Sequence, residues 1–281
     1  ETVAPVLTSR TRAVILVDQT GVPADLDRME AFAEPHGITV IEDAACAAGS
    51  VYRGRPVGAG ASLATFSFHP RKLLTTGEGG MLITPDPEVA VRLRRLREHG
   101  MDVSATQRHA SRQPVIERYL ETGYNYRMTD IQAAVGLVQL GKLPRMVARR
   151  RELAARYLDA LAGGLGLATI HDPDYGTTNF QGFWVVLPAD FPVSRNELLR
   201  ALAEAGVSAR RGVMAAHLES AYAAQAGRAL PVTERLTAST VTLPLFHEMT
   251  EDQQDRVIAA VRAAAGRRAA APQAVAGHGL S

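Results

Sequence analysis

An unbroken apolar run, Ala13-Val14-Ile15-Leu16-Val17, and a second strand-like run, Ile38-Thr39-Val40-Ile41, bracket a stretch in which Leu26, Met29 and Phe32 recur at helical spacing. Strand, helix and strand in that order make a βαβ unit. A crossover of this length forces parallel strands and a right-handed connection. Pro23 sits where a first helical turn tolerates proline, and Pro35 and Gly37 stop the helix. The unbroken run of the first strand predicts burial on both faces. Ligands of open parallel sheets gather beyond the carboxyl ends of the strands. Here those ends carry Asp18 and Glu42-Asp43.

The rest of the chain extends this α/β pattern. Leu63 to Phe68 and Gly80 to Thr84 read as further strands. Asp86-Pro87 opens a helix with Val89, Leu93 and Leu96 inward and Arg92, Arg94, Arg95 and Arg97 outward, closed by Gly100. Residues 101–124 read as a long irregular loop. Thr129 to Gln132 is a capping box that opens a helix with Ile131, Val135 and Val138 on its apolar face. Arg-rich sequence from Arg145 to Leu161 reads as a helical connector. Beyond it come a strand over Asn179 to Leu187, a Ser194-capped helix to Ala205, a short strand at Val241 to Leu243 and a last helix from Thr250 to Ala264. The expected organisation is a large domain over 1–144, a smaller α+β domain over 145–263 and a disordered Ala/Gly-rich tail over 264–281.

Composition narrows the function. With 46% apolar residues the chain builds a sizeable core, and its net charge of +2 is poor support for nucleic-acid binding. No run approaches the roughly 18 apolar residues of a membrane span. A single cysteine, Cys46, excludes an internal disulfide framework and any multi-cysteine zinc site, and fits a reducing, cytoplasmic setting. The histidines show no paired metal spacing, and no G-x-S-x-G elbow is present. Gly58-Ala59-Gly60 has Leu63 where a dinucleotide fingerprint needs its third glycine. Gly136 to Lys142 nearly spells a phosphate loop, but Leu143 follows the lysine and the segment is amphipathic helix. Lys142 therefore reads as a solvated helix lysine.

Only two of the 31 basic residues are lysine, Lys72 and Lys142. Lys72 lies where a strand, Phe66-Ser67-Phe68, gives way to a loop and then to the turn Gly77-Glu78-Gly79-Gly80. Upstream, Asp43 ends an apolar strand on the ligand side. Asp43 alone also suits the cap of a turn over Ala44–Ala47, and Ser67 alone suits a strand-end hydroxyl bonded to local backbone. Together the three suggest pyridoxal phosphate chemistry, which needs a lysine amine for a Schiff base and a carboxylate beside the pyridine nitrogen. A carboxylate ~4 Å from the ring nitrogen favours its protonated form by about 4 kcal/mol at an effective dielectric of about 20, before desolvation. The Ser67 hydroxyl would donate to the phosphate.

Glu42-Asp43-Ala44-Ala45-Cys46-Ala47, the run from Ser67 to Gly80, Gly123-Tyr124-Asn125-Tyr126-Arg127-Met128-Thr129-Asp130-Ile131-Gln132-Ala133-Ala134, and Leu243-Pro244-Leu245-Phe246 followed by Thr250 to Gln254 resemble the DegT/DnrJ/EryC1/StrS aminotransferases. The resemblance spans about 5–263. It implies a fold-type-I aminotransferase, with a mostly parallel sheet in its large domain and a smaller C-terminal α+β domain. It also implies a homodimer with sites at the subunit interface. The implied reaction moves an amino group from an amino acid, commonly glutamate, to a nucleotide-linked keto-sugar, with pyridoxal 5'-phosphate as cofactor. By this resemblance Lys72 is the Schiff-base lysine and Asp43 the pyridine-nitrogen partner. Ser67 becomes the phosphate-binding serine, and Asn125 the asparagine that reaches the phosphate in the neighbouring subunit.

The departures are specific. Cys46 stands where the family often has glutamine facing the ring; the thiol, a weaker donor, either tunes the ring or packs beneath it. Asp18-Gln19-Thr20-Gly21 replaces a more usual His-Leu-Tyr-Gly-like stretch, and Gly58–Leu63 lacks the family's common aspartate. Family members carry a further upstream segment with a Gly-Thr helix N-terminus for the phosphate and an aromatic residue over the ring. On that reading the chain is an incomplete version of a larger enzyme and by itself binds the cofactor poorly. The related sugar dehydratases carry histidine in place of the lysine, so Lys72 argues against that activity. Intact Lys72, Asp43 and Ser67 argue against a non-catalytic relative. His217 and Arg211 read as surface or packing residues.

Overall fold

A computed structural model of the chain describes residues 2–161, 165–225 and 229–266. The described chain forms two compact units. One runs through Ala148 and takes in Asp172–Gln181; the other holds Arg149–His171 and the residues from Gly182 on.

In the first unit the βαβ unit forms as its pattern predicts: β1 (Ala13–Val17), α1 (Leu26–Ala33) and β2 (Thr39–Asp43), with β1 and β2 parallel. Gly37 takes a left-handed φ of 61°, which ends the helix without a Cβ clash. A hairpin, β3 (Val51–Tyr52) and β4 (Arg55–Pro56), precedes β5 (Ala64–Ser67), which pairs parallel to β2; β6 (Gly80–Ile83) then returns antiparallel to β5. The sheet order is β1-β2-β5-β6.

Residues two apart along a strand share a face, and paired residues face the same way. One face of this sheet therefore carries Val14, Leu16, Val40, Glu42, Ala64, Phe66 and Ile83. Its apolar members pack into a core with Leu26, Ala33 and Tyr52. The other face carries Ile15, Val17, Ile41, Asp43, Thr65, Ser67 and Leu82. Ile15 on that face is 64% exposed. This corrects the expectation that β1 is buried on both faces. An apolar run permits burial, but β1 is an edge strand and the described residues cover only one of its faces.

Past β6, Asp86 caps α2 (Pro87–Leu96) by accepting from the backbone of Glu88 and Val89. No residue of α2 is buried, so Val89 is not the inward residue its spacing predicted. Arg95, expected outward, turns instead to Glu121. A six-residue helix, α3 (Ala105–Ala110), interrupts the expected 101–124 loop, started by a capping box of Ser104 and Gln107. The expected connector is no separate element. α4 (Asp130–Leu161) is one helix of 32 residues with Pro144 inside it. An interior proline costs about 3 kcal/mol. Burial of Leu143 just before the proline, and of Met146, Leu153, Ala154, Tyr157 and Leu161 after it, offsets that cost. The N-terminal turns of α4 leave their apolar stripe open, with Ile131 80% exposed.

The second unit begins within α4 and continues with β7 (Ala168–Thr169). The chain returns to the first unit for β8 (Gly176–Thr177), which pairs with β3. It then forms β9 (Phe183–Val186), α5 (Arg195–Glu204), β10 (Arg210–Arg211), α6 (Pro231–Ser239), β11 (Thr240–Leu243) and α7 (Glu251–Ala265). The sheet order is β10-β11-β9-β7, antiparallel throughout. Ser194 caps α5 as its sequence pattern predicts, with Glu197 completing a capping box, and Thr250 heads α7 with a capping box of its own. The strand expected over Asn179 to Leu187 is shorter, because Asn179 and Gln181 turn to other partners. Helix α7 runs to Ala265, two residues into the stretch read as a tail; residues 267–281 lie outside the described residues.

Candidate active site

Asp43, Cys46, Ser67 and Lys72, of the site residues read from the sequence, lie at or just beyond the carboxyl ends of β2 and β5. Asp43 is the last residue of β2 and pairs with Thr65. Ser67 lies two residues further along β5, about 7 Å along the strand, on the same open face. Asp43 Oδ1 accepts the Ala45 N–H at 3.1 Å, so the carboxylate does cap the turn that follows it. The Ser67 hydroxyl accepts from the His69 N–H at 3.4 Å, which leaves its own proton uncommitted.

Lys72 stands in the loop after β5. Its backbone N–H reaches His69 O, and Thr76 N–H and the Thr75 hydroxyl both reach Phe68 O, which folds the loop back on the strand end. Leu73 then buries itself against Leu143 and Met146, with Ala48 and Val147 packed alongside. The Lys72 side chain is thereby turned toward the segment after Asp43, and Nζ donates to Cys46 Sγ at 3.0 Å. Of the two roles left open for Cys46, neither included a direct bond to the lysine.

Asn125 does not join this group. It is exposed in the loop before α4, bridged antiparallel to Glu98. Lys142 is exposed on α4, as its helical context predicts. His217 pairs with Glu234 at 3.1 Å and Arg211 with Glu219 at 3.2 Å, both within the second unit.

Two features of the site were not read from the sequence. The first lies on the covered face beneath Asp43. Asp18 follows β1, and its N–H donates to Asp43 O. Asp18 is fully buried, Glu42 is 1% exposed, and Asp18 Oδ2 and Glu42 Oε2 find no ordinary donor among the described residues. Burial, aided by the nearby Glu42 and Asp43 charges, pushes the Asp18 carboxyl up to about 7; a backbone bond from Ala24 partly opposes this. Burial likewise raises Glu42, against a backbone bond from Gly58. A proton on Asp18, donated to Glu42, satisfies both orphan oxygens at once. Burial thus favours the protonated form of both carboxyls.

The second feature is the segment Thr178–Gln181. Asn179 is fully buried, and its Nδ2 donates to Cys46 O at 2.9 Å and to Ala48 O at 2.8 Å. Gln181 Nε2 donates to Arg71 O at 2.8 Å, while its Oε1 accepts the Leu73 N–H at 3.2 Å. Gln181 thus brackets Lys72 from both sides along the backbone. Gly21, with φ of 90°, leaves the space that the Asn179 amide occupies; any Cβ there would collide with it. A lone buried asparagine between a turn signal and an apolar run was the available cue.

Comparison with known proteins follows this geometry. The model of the DegT/DnrJ/EryC1/StrS aminotransferase family matches residues 1–262. Among solved structures, the chain is similar to S. venezuelae DesV, solved in complex with a ketimine intermediate, at 37% identity and a TM-score of 0.83. The match covers 94% of this chain and 68% of that one. It is similar to the aminotransferase TlmJ from Streptoalloteichus hindustanus at 34% identity and a TM-score of 0.82, over 93% of this chain and 68% of that one. Helicobacter pylori PseC, an aminotransferase involved in pseudoaminic acid biosynthesis, superposes with a TM-score of 0.85 at 23% identity, over 93% of this chain and 68% of that one, a likeness of fold.

Proposed function

The chain belongs to the DegT/DnrJ/EryC1/StrS aminotransferase family, and from that premise we propose that it serves transfer of an amino group from an amino acid, glutamate first among them, to a nucleotide-linked keto-sugar, with pyridoxal 5'-phosphate as cofactor. The observation that carries this reading is the placement of Lys72. Its amine sits at the carboxyl end of the parallel strands, turned toward the segment that begins at Asp43.

The residues present fit such a cofactor. Asp43 is half-buried on the open face and has no cationic partner among the described residues, so its carboxylate is available to a protonated ring nitrogen. Ser67, further along the same face, has a hydroxyl proton free for a phosphate oxygen. When bound, the cofactor supplies an electron sink for the bond broken at the amino-bearing carbon.

Each residue then has a distinct task. Lys72 anchors the cofactor through Nζ and, once released, moves a proton at Nζ as the general base and acid. Asp43 holds the ring proton by charge. The Asp18–Glu42 pair beneath it keeps a second full negative charge off the strand ends while the shared proton stays. Asn125, exposed on its loop, serves the site of a second copy, in a cytoplasmic homodimer with shared sites. No helix among the described residues is long and apolar enough to cross a membrane.

The test is direct because the chain has two lysines. Borohydride reduction after incubation with pyridoxal phosphate, followed by peptide mass spectrometry, should mark Lys72 and spare Lys142. A protein that consumes glutamate in the presence of a nucleotide-linked keto-sugar completes the assignment. A mark on Lys142 that spares Lys72 would sink it.

A further inference from the structure

Cys46 and Lys72 come from different loops, and each loop is tied to the same short segment. Asn179 holds the Cys46 side through Cys46 O and Ala48 O, while Gln181 holds the Lys72 side through Arg71 O and Leu73 N–H. The two clamps are linked, since the Gln181 N–H donates to Asn179 Oδ1 at 2.8 Å. Asn179 is itself seated by its N–H on Ser50 Oγ, whose hydroxyl donates to Gly21 O. Ala48 and Leu73, one beside each partner, also pack into one apolar cluster with Leu143 and Met146. Four side-chain hydrogen bonds to the two backbones, one bond between the clamps and a shared core thus fix the register in which Nζ meets Sγ.

We propose that Cys46 is a positioning residue for Lys72: its thiol holds the amine in the cofactor-free enzyme, and Asn179 and Gln181 set the register in which the two meet. A lysine side chain loses rotamer freedom when it is fixed. Holding Nζ at the strand end beforehand removes part of that cost from cofactor capture. The bond to sulfur is soft and gives way when Nζ is taken up by the cofactor, whereas a carboxylate in the same place would hold the amine in a charge pair. The proposal rests on Lys72 being the reactive lysine, but its test needs neither cofactor nor substrate.

The chain provides its own controls, with one cysteine and one other lysine. In the cofactor-free full chain, the rate of Cys46 alkylation by iodoacetamide is followed from pH 7 to pH 9, in the parent and in Lys72→Met. Lys72→Met removes the amine that rests on Sγ, so the alkylation rate should change by about fivefold from the parent. Reciprocally, acetylation of Lys72 by acetic anhydride, normalised to Lys142, should rise about fivefold in Cys46→Ala, the factor expected for loss of one ordinary hydrogen bond. It should fall back toward the parent in Cys46→Ser. Gln181→Ala should reproduce the Cys46→Ala effect on Lys72 without touching either reactive group. Unchanged Lys72 acetylation in Cys46→Ala together with unchanged Cys46 alkylation in Lys72→Met overturns the pairing. Parent rates in Gln181→Ala overturn the clamp. Borohydride marking of Lys72 in the parent still reports separately on the proposed function.

Discussion

The two sheets are built from short strands of similar apolar content, yet they are finished differently. In the second unit the central strand β11 is buried at every position, both faces included. Helices α5 and α7 bury Leu198, Leu202, Val257, Ile258 and Val261. In the first unit the central strand β2 buries Val40 and Glu42 on one face only. The opposite face presents Asp43 between exposed Ile15 and Val17 on one neighbour and Thr65 and Ser67 on the other. A sheet closed on both sides converts apolar area into stability. A sheet open on one side leaves strand-end carboxylate and hydroxyl groups within reach of a ligand. The contrast teaches that the same strand chemistry serves packing in one unit and a site in the other.

The sharpest way to break this contrast is at its chemical end. Lys72→Ala in the active enzyme should abolish amino transfer, while thermal unfolding moves by no more than about 0.5 kcal/mol, as for other substitutions away from a packed core. Retained turnover, measured as glutamate-dependent amination of the sugar, would remove the site from the open-faced unit.

Next in size is the closed sheet. Leu198→Ala, at a fully buried position on α5, should cost 2–5 kcal/mol by denaturant titration, through lost transfer energy and a residual cavity. A cost below 1 kcal/mol would mean that the second unit is not the tightly packed one.

The carboxyl pair gives a pH-dependent handle. Asp18 has an ordinary value of 3.8 and is raised to about 7 in the fold, so folding favours its protonated form. That contribution is whole below about pH 4 and is lost as pH rises through about 7. Asn at this position keeps a donor toward Glu42 and has no proton to lose. Asp18→Asn should therefore gain on the parent by about 2 kcal/mol between pH 5 and pH 8 in thermal melts. A difference that is flat with pH would show that Asp18 is ionised throughout.

The smallest effect tests the bare face itself. Ile15→Ser should cost less than about 0.5 kcal/mol, because little of the side chain is buried by the fold. A cost approaching that of Leu198→Ala would show that this face is covered in solution, and the comparison would then lose its basis.

Elements whose signals are local were readable from the sequence. The βαβ unit rests on two apolar runs and a helical period, and α2, α5 and α7 are announced by Asp86, Ser194 and Thr250 as caps. Asp43, Ser67 and Lys72 stood out for the same reason: strand ends and a rare lysine are visible in one dimension. The unbroken run of α4 through Pro144 was not visible, because proline signals a break and only burial of Leu143 and Met146 on either side of it overrides that signal.

What the sequence by itself determined is the set of chemical groups and the strand-and-helix grammar that delivers them to one edge of a sheet. Those depend on neighbours within a few turns of chain. The tertiary structure alone decided which groups meet. Asn179 and Gln181 lie more than a hundred residues from the loops they clamp. Asp18 and Glu42 meet in a buried place only because two parallel strands bury their ends together, and Cys46 faces an amine from another loop. Such pairings carry no period and no motif, since their energy comes from burial and hydrogen-bond geometry that exist only once the chain has closed on itself.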